Sequence, residues 1–210
     1  MSKSYFSIRK SAVIISGLLK ASFIPPKPIR ELRDLTRYCR KVVGQAASEK
    51  NRIPKILEDA NIKLSSVVSN MSGATATKII NTMIEGVENI RELLKFRHGK
   101  MQASVEDLTS ALKGKLIEHH KFMLTTIKES IEEKESLIEK LDTRIEKHLA
   151  KKDMLQDSEL LQTNPGVGKD AAAGILAEVG NNMDQFPNEL HLASWAGMSP
   201  GSNESADKKK

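Results

Sequence analysis

Apolar positions along this chain recur at helical rather than alternating spacing. The longest regular run covers residues 115–152. There Ile117, His120, Leu124, Ile127, Ile131, Lys134, Ile138, Leu141, Ile145 and His148 follow one another in steps of three and four. Glu132, Glu133, Glu139, Lys140, Arg144 and Lys147 fill the other faces. The pattern predicts a coiled-coil helix roughly 50 Å long at ~1.5 Å per residue. Lys134 and the two histidines are polar seam positions, which weaken a simple dimer but can set register. The seam can pair within the chain, against a helix predicted for 29–62, or between chains, and the pattern does not choose.

The 29–62 helix carries Leu32, Leu35 and Cys39 near one face, followed by Val42, Val43 and Ala46. Its opposite side is basic: Arg30, Arg33, Arg37, Arg40 and Lys41, then Lys50, Arg52 and Lys55. Pro54 is expected to kink or interrupt it. Before it, Pro25, Pro26 and Pro28 read as a rigid extended linker. Residues 70–114 read as shorter helices, with Ile79, Ile80, Met83, Ile84 and Val87 as an apolar stripe and turns at Gly86, Gly99 and Gly114. Residues 160–180 read as two helices around a tight turn. After them Phe186, Leu190, Leu192, Trp195 and Met198 are expected to bury a small core against that hairpin. The expected division is a leader over 1–24, a basic helical region over 25–114, a coiled coil over 115–155 and a hairpin domain over 156–210.

Composition sharpens this picture. The 210 residues are 29% charged and only 4% aromatic, which suits long solvated helices better than a β-rich core. The formal net charge of +6 permits nucleic-acid binding without requiring it. A single cysteine, Cys39, excludes an intrachain disulfide and makes a reducing cytoplasm the default location. The apolar run 12–19 is too short to span a bilayer and lacks a cleavage site, so neither a membrane anchor nor secretion is expected. His119 and His120 point in different directions on a helix and form no zinc pair, and His98 and His191 stand alone.

The hairpin carries the candidate chemistry. Asn164 and Pro165 break the first helix, Gly166-Val167-Gly168 makes the turn, and Lys169 and Asp170 open a second helix rich in alanine. Backbone N–H groups at such a helix start, together with the helix dipole and Lys169, can hold a phosphate without reading bases. The same glycines also suit an ordinary αα-hairpin whose helices pack closely. A nucleotide-binding P-loop is excluded. Thr163 stands where its first glycine is required, and Asp170 stands where it needs Ser or Thr. Arg33, Arg37, Arg40 and Lys41 stack at helical spacing and can track phosphates, or can simply be a solvated face.

From Leu160 onward the marks P-G-V-G, A-E-V-G, F-P, L-A-S-W-A-G and P-G-x-N-E-S-A follow in order. Earlier, F-I-P-P, R-E-L-R-D-L-T-R-Y and E-D-A-N-I-K-L-S-S occur between positions 17 and 72. The chain resembles the DEDD transposases of bacterial insertion sequences, the IS-one-ten and IS-eleven-eleven group. The resemblance implies DNA transposition by a composite site. In that family a RuvC-like domain supplies four acidic residues for divalent metal, most simply magnesium, and a C-terminal serine attacks the DNA phosphodiester. The family serine corresponds to Ser205; Asp207 stands where a glycine is expected. The family's last two acids, in K-T-D-x-x-D-A, have no counterpart in YFSIRKSAVIIS, and the first acid of the chain is Glu31. A metal site in this chain is therefore not expected.

The expectation is an all-α protein with a basic helical region, a long coiled-coil arm and a C-terminal helix-hairpin-helix, without the RuvC-like domain. It reads as a transposase fragment cut at both ends and catalytically incomplete. Its expected partners are DNA, a structured guide RNA, and a second copy or a full-length transposase reached through the coiled coil. The DNA-binding candidates are Gly166, Val167, Gly168 and Lys169 in the hairpin with Arg33, Arg37, Arg40 and Lys41. The rival readings are a non-catalytic regulatory nucleic-acid binder and a purely structural coiled-coil protein.

Overall fold

The computed structural model describes residues 24–97 and 101–198, and the backbone of 204–205 and 208–209. The described chain is helical: α1 Lys27–Lys50, α2 Arg52–Asp59, a 3₁₀ turn Leu64–Ser66, α3 Ala74–Ile84, α4 Ile90–Leu94, α5 Val105–Ala111, α6 Glu118–Lys151, α7 Leu155–Gln162, α8 Lys169–Val179 and α9 Glu189–Trp195. One antiparallel ladder of two residues per strand pairs Glu204 with Lys209 and Ser205 with Lys208. The leader 1–23, His98, Gly99 and the turn around Pro200 and Gly201 lie outside the described residues.

The helix expected over 29–62 is two helices. It begins earlier, at Lys27, because Pro28 sits in the first turn, where a missing N–H costs no bond. The three prolines thus do not all belong to a linker. Its break falls at Asn51, three residues before Pro54. Pro54 has no N–H to give the carbonyl four residues back, so the ladder cannot run through. α2 then ends at Asp59, and Asn61 turns the chain with φ of 58°.

α6 lies antiparallel to α1. The His148 ring donates from Nε2 to the Pro28 carbonyl at 2.8 Å, Cys39 Sγ lies 3.4 Å from Asp142, and Lys50 pairs with Glu135 at 2.7 Å. Further along, His120 Nε2 meets the Asp59 carboxylate of α2 at 2.9 Å. The apolar seam of α6 is therefore used within the chain. His120, Leu124, Ile127, Ile131, Leu141, Ile145, His148 and Leu149 are its buried residues. The two seam histidines are kept polar by their partners on α1 and α2, although His120 Nδ1 is buried without one.

Two cores hang on this pair. One collects Leu57 of α2, Leu64 of the 3₁₀ turn, Ile79, Ile80 and Met83 of α3, Leu93, Leu108 and Leu124. In it Gly114 packs so closely that a Cβ would stand 2.1 Å from the Ala60 carbonyl oxygen. The other joins Ile29 and Leu32 of α1 to Ile145 and Leu149 of α6, Met154, and Ala173, Leu176 and Ala177 of α8. Small residues let α8 approach α1 closely, as its sequence suggested. Two expectations of burial fail. Val43 is exposed, because the seam turns through Val42 and Ala46 instead. α9 buries no residue at all, and Leu190, Trp195 and Met198 are 70%, 54% and 71% exposed. Phe186 does meet Trp195 edge-to-face at 5.8 Å.

Candidate nucleic-acid interface

The hairpin turn is built as its residues require. Val167 N–H donates to the Asn164 carbonyl at 3.1 Å, with Pro165 and Gly166 between them. Gly166 takes φ of 85°, which fits the third position of a type II turn. Gly168 does not share this need. It is extended, at φ of −84° and ψ of 178°, and caps α8 with no side-chain hydrogen bond to the helix. Nothing lies within 4 Å of where its Cβ would be. Of the two glycines, only Gly166 uses a positive φ.

The start of α8 is open to solvent. Gly166, Gly168, Lys169 and Asp170 are exposed and Val167 is half-buried. The first-turn amides have no helical acceptor. The Lys169 side chain is 76% exposed, and its ammonium lies 3.3 Å from Glu146 of α6. Asp170 already places one negative charge in this first turn.

The basic residues of α1 fall elsewhere. Arg33 donates from Nε to the Ala177 carbonyl at 2.9 Å and from a terminal nitrogen to the Glu178 carbonyl at 3.1 Å. Arg37 grips the Glu178 carboxylate with two bonds of 2.8 and 2.9 Å. Both therefore serve the C-terminus of α8, where last-turn carbonyls lack partners and the helix dipole favours cations. Their charge is met by Glu178, whose carboxyl is held below its ordinary range, first by the Arg37 bond and then by the charges of Arg33, Arg37 and Arg40. Arg40 lies midway along α8: a Cβ on Gly174 would come 3.3 Å from its guanidinium. Lys41 is exposed. The structure thus separates the expected DNA-contacting set. Gly166, Val167, Gly168 and Lys169 are together at one end of α8, while Arg33 and Arg37 are bound at the other.

Between α1, α6 and the hairpin lies an open cleft of about 900 Å³. Its cations Arg40, Lys147 and Lys169 are outnumbered by Asp142, Glu146, Glu159 and Asp170, so it does not suit a polyanion. Cys39 opens onto it with its thiol pushed up to about 11, by burial and then by the Asp142 carboxylate. That thiol is neutral at physiological pH and is no nucleophile.

Glu178 and Glu146 are the residues that sequence reasoning missed. Glu178 stands in the A-E-V-G mark, but its partners lie 141 and more positions earlier, and nothing local points to them. Backbone at Ser205 is described and its side chain is not, so the geometry of that hydroxyl lies outside the described residues. Among the described residues no three His, Cys, Asp or Glu side chains are grouped to hold a metal ion. These residues do not fit the divalent-metal site that the resemblance implies. Among them, too, no helix is long and apolar enough to cross a membrane.

No curated protein and no solved structure matches the chain. A family model does match residues 158–210, the stretch that holds the second half of α7, the turn, α8, α9 and Ser205. It is that of the Transposase IS116/IS110/IS902 family, to which this C-terminal segment of the chain is similar.

Proposed function

We propose that this chain binds the backbone of double-stranded DNA through the 164–169 hairpin, as the DNA-holding part of an insertion-sequence transposase. The observation that carries the reading is the uncapped, exposed start of α8. Three features meet there: free first-turn amides, the open space beside Gly168 and the ammonium of Lys169. A phosphate oxygen seated at those amides would be favoured by the helix dipole and by Lys169. Lys169 would leave Glu146 to reach it, which costs little because exposed ion pairs contribute at most about 1 kcal/mol. Main-chain amides and one ammonium would make the contact, so it is one of position rather than sequence. Arg33 and Arg37 are not part of this footprint; they hold α8 in place.

The test is fluorescence anisotropy of a labelled duplex of arbitrary sequence, titrated with the full chain at several salt concentrations. Binding should weaken with salt. Lys169→Glu should weaken it about tenfold and reduce the salt slope by about one, as for the loss of one phosphate contact. Equal affinity and slope in the variant would remove the hairpin from the interface. Ser205 is where the family resemblance puts the attacking hydroxyl, so Ser205→Ala is the control in any strand-transfer assay of the chain with its partner domains.

A further inference from the structure

The stretch after α8 holds apolar side chains out in solvent. Met183, Leu190, Trp195 and Met198 are all exposed, and α9 buries none of its residues. An apolar patch of this kind, rimmed by polar residues, marks a contact surface. Its charged side chains are acids: residues 181–198 contain Asp184 and Glu189 and no lysine or arginine. Both acids are exposed, and neither has an ion-pair partner among the described residues.

This patch is tied to the start of α1 through the end of α8. A Cβ on Gly180 would stand 3.9 Å from Ile29, in the first turn of α1, and 3.9 Å from the Gln185 amide. Gln185 donates to the Val179 carbonyl at 2.6 Å, and the next residue, Phe186, meets Trp195. Ile24 is exposed and precedes this first turn. Residues 1–23 before it carry Lys3, Arg9, Lys10 and Lys20 and no acid. They also contain the apolar run Ala12 to Leu19, interrupted only by Ser16 and Gly17. From Leu19 to Ile24 an extended chain covers at most about 17 Å, so the run begins within reach of the patch.

We infer that the run 12–19 of the same chain seats on Met183, Leu190, Trp195 and Met198, and that the cations flanking it meet Asp184 and Glu189. Arg9 and Lys10 precede the run and Lys20 follows it. An apolar segment between cations thus meets an apolar patch beside acids. Two other occupants fit less well. A second copy of the patch would set acid against acid, because a two-fold contact must be self-complementary. A nucleic-acid backbone would be repelled by both acids. Since Ile29 already lies against the end of α8, seating the run closes only a short loop, which keeps the chain-entropy cost low. The contact lies at the opposite end of α8 from the hairpin turn and does not rest on the hairpin's binding DNA.

Trp195 is the only tryptophan, so its fluorescence in the full chain reads the contact directly. Its emission should be blue-shifted, and acrylamide should quench it weakly. Ile14→Asp with Ile15→Asp should shift the emission to the red and raise the quenching constant severalfold. Helical circular dichroism should be unchanged in that variant, which shows that it is folded. Asp184→Lys with Glu189→Lys should raise the quenching as well, by less. A tryptophan equally open to acrylamide in the wild-type chain and in the Ile14 and Ile15 variant, or equally shielded in both, overturns the inference. Seating within one chain is read separately. With Cys39 replaced by serine, a chain carrying Ile14→Cys and Leu190→Cys should be joined by a short bis-maleimide and keep the mass of a single chain. Links that form only between chains, or none at all, overturn it, as does shielding of Trp195 that grows with protein concentration. Lys169→Glu should leave every one of these readings unchanged, so this contact and the hairpin's DNA binding fail separately.

Discussion

Glu178 shows how single residues divide the work at the foot of α8. Arg33 and Arg37 both reach it, but their roles differ. Arg33 is the more buried, and it donates to two main-chain carbonyls that the helix itself leaves without partners. Arg37 makes an exposed ion pair. Arg33→Ala should therefore cost about 2 kcal/mol, the range for losing charged hydrogen bonds to part-buried carbonyls. Arg37→Ala should cost no more than about 1 kcal/mol. Urea denaturation of the two variants gives the comparison, and equal losses would show that the carbonyl contacts carry no special weight. A pH dependence follows from the same cluster. The Glu178 carboxyl is held below its ordinary value of 4.5. Its contribution to stability is thus present above the unfolded-state value and is lost as pH falls through the lower folded-state value. Between pH 5 and 3 the wild-type chain should lose more stability than Glu178→Gln does, as measured by urea midpoints at each pH.

At the scale of elements, the two hairpin glycines give opposed expectations. Gly166 holds a left-handed backbone at φ of 85°, so Gly166→Ala should destabilise α7 and α8 by roughly 1–2 kcal/mol. Gly168 is extended and has open space beside it, so Gly168→Ala should leave thermal stability unchanged. If the duplex backbone comes close at this point, the added methyl should still weaken DNA binding severalfold. A Gly168→Ala chain with unaltered stability and unaltered affinity would mean that the backbone does not approach there. Much of this geometry was legible beforehand. Leu124, Ile127, Ile131, Leu141 and Ile145 announce the buried face of α6 by spacing alone, and Asn164-Pro165-Gly166 announces a turn. The fate of the α1 arginines was not legible. A stack of cations on one helix reads the same whether it meets phosphates or the C-terminus of a helix far along the chain. Likewise Leu190, Trp195 and Met198 read as core by composition, but composition does not say whether a neighbouring surface exists to cover them.

For the whole molecule, the question is whether two cores make one folding unit. They sit toward opposite ends of α6, one around Leu124 and the other around Ile145. If α6 only tethered them, each could melt alone. But Val42 and Ala46 of α1 are buried in the stretch between, and Ile131 and Leu141 of α6 are buried as well. Lys50 and Glu135 close the same stretch at the surface. The antiparallel α1–α6 pair thus supplies continuous packing from one core to the other, and unfolding either core would strip an apolar face from the pair. Leu124→Ala and Ile145→Ala should each cost about 2–4 kcal/mol, the usual range for truncating a buried aliphatic side chain. Both should lower the same single thermal transition, whether followed by helical circular dichroism or by calorimetry. If the cores are independent, the wild-type chain shows two transitions and each variant moves only one of them. Val42→Ala then distinguishes how the coupling arises. In a single unit it loosens the join and separates the transition into two, whereas in a tethered pair it changes neither midpoint.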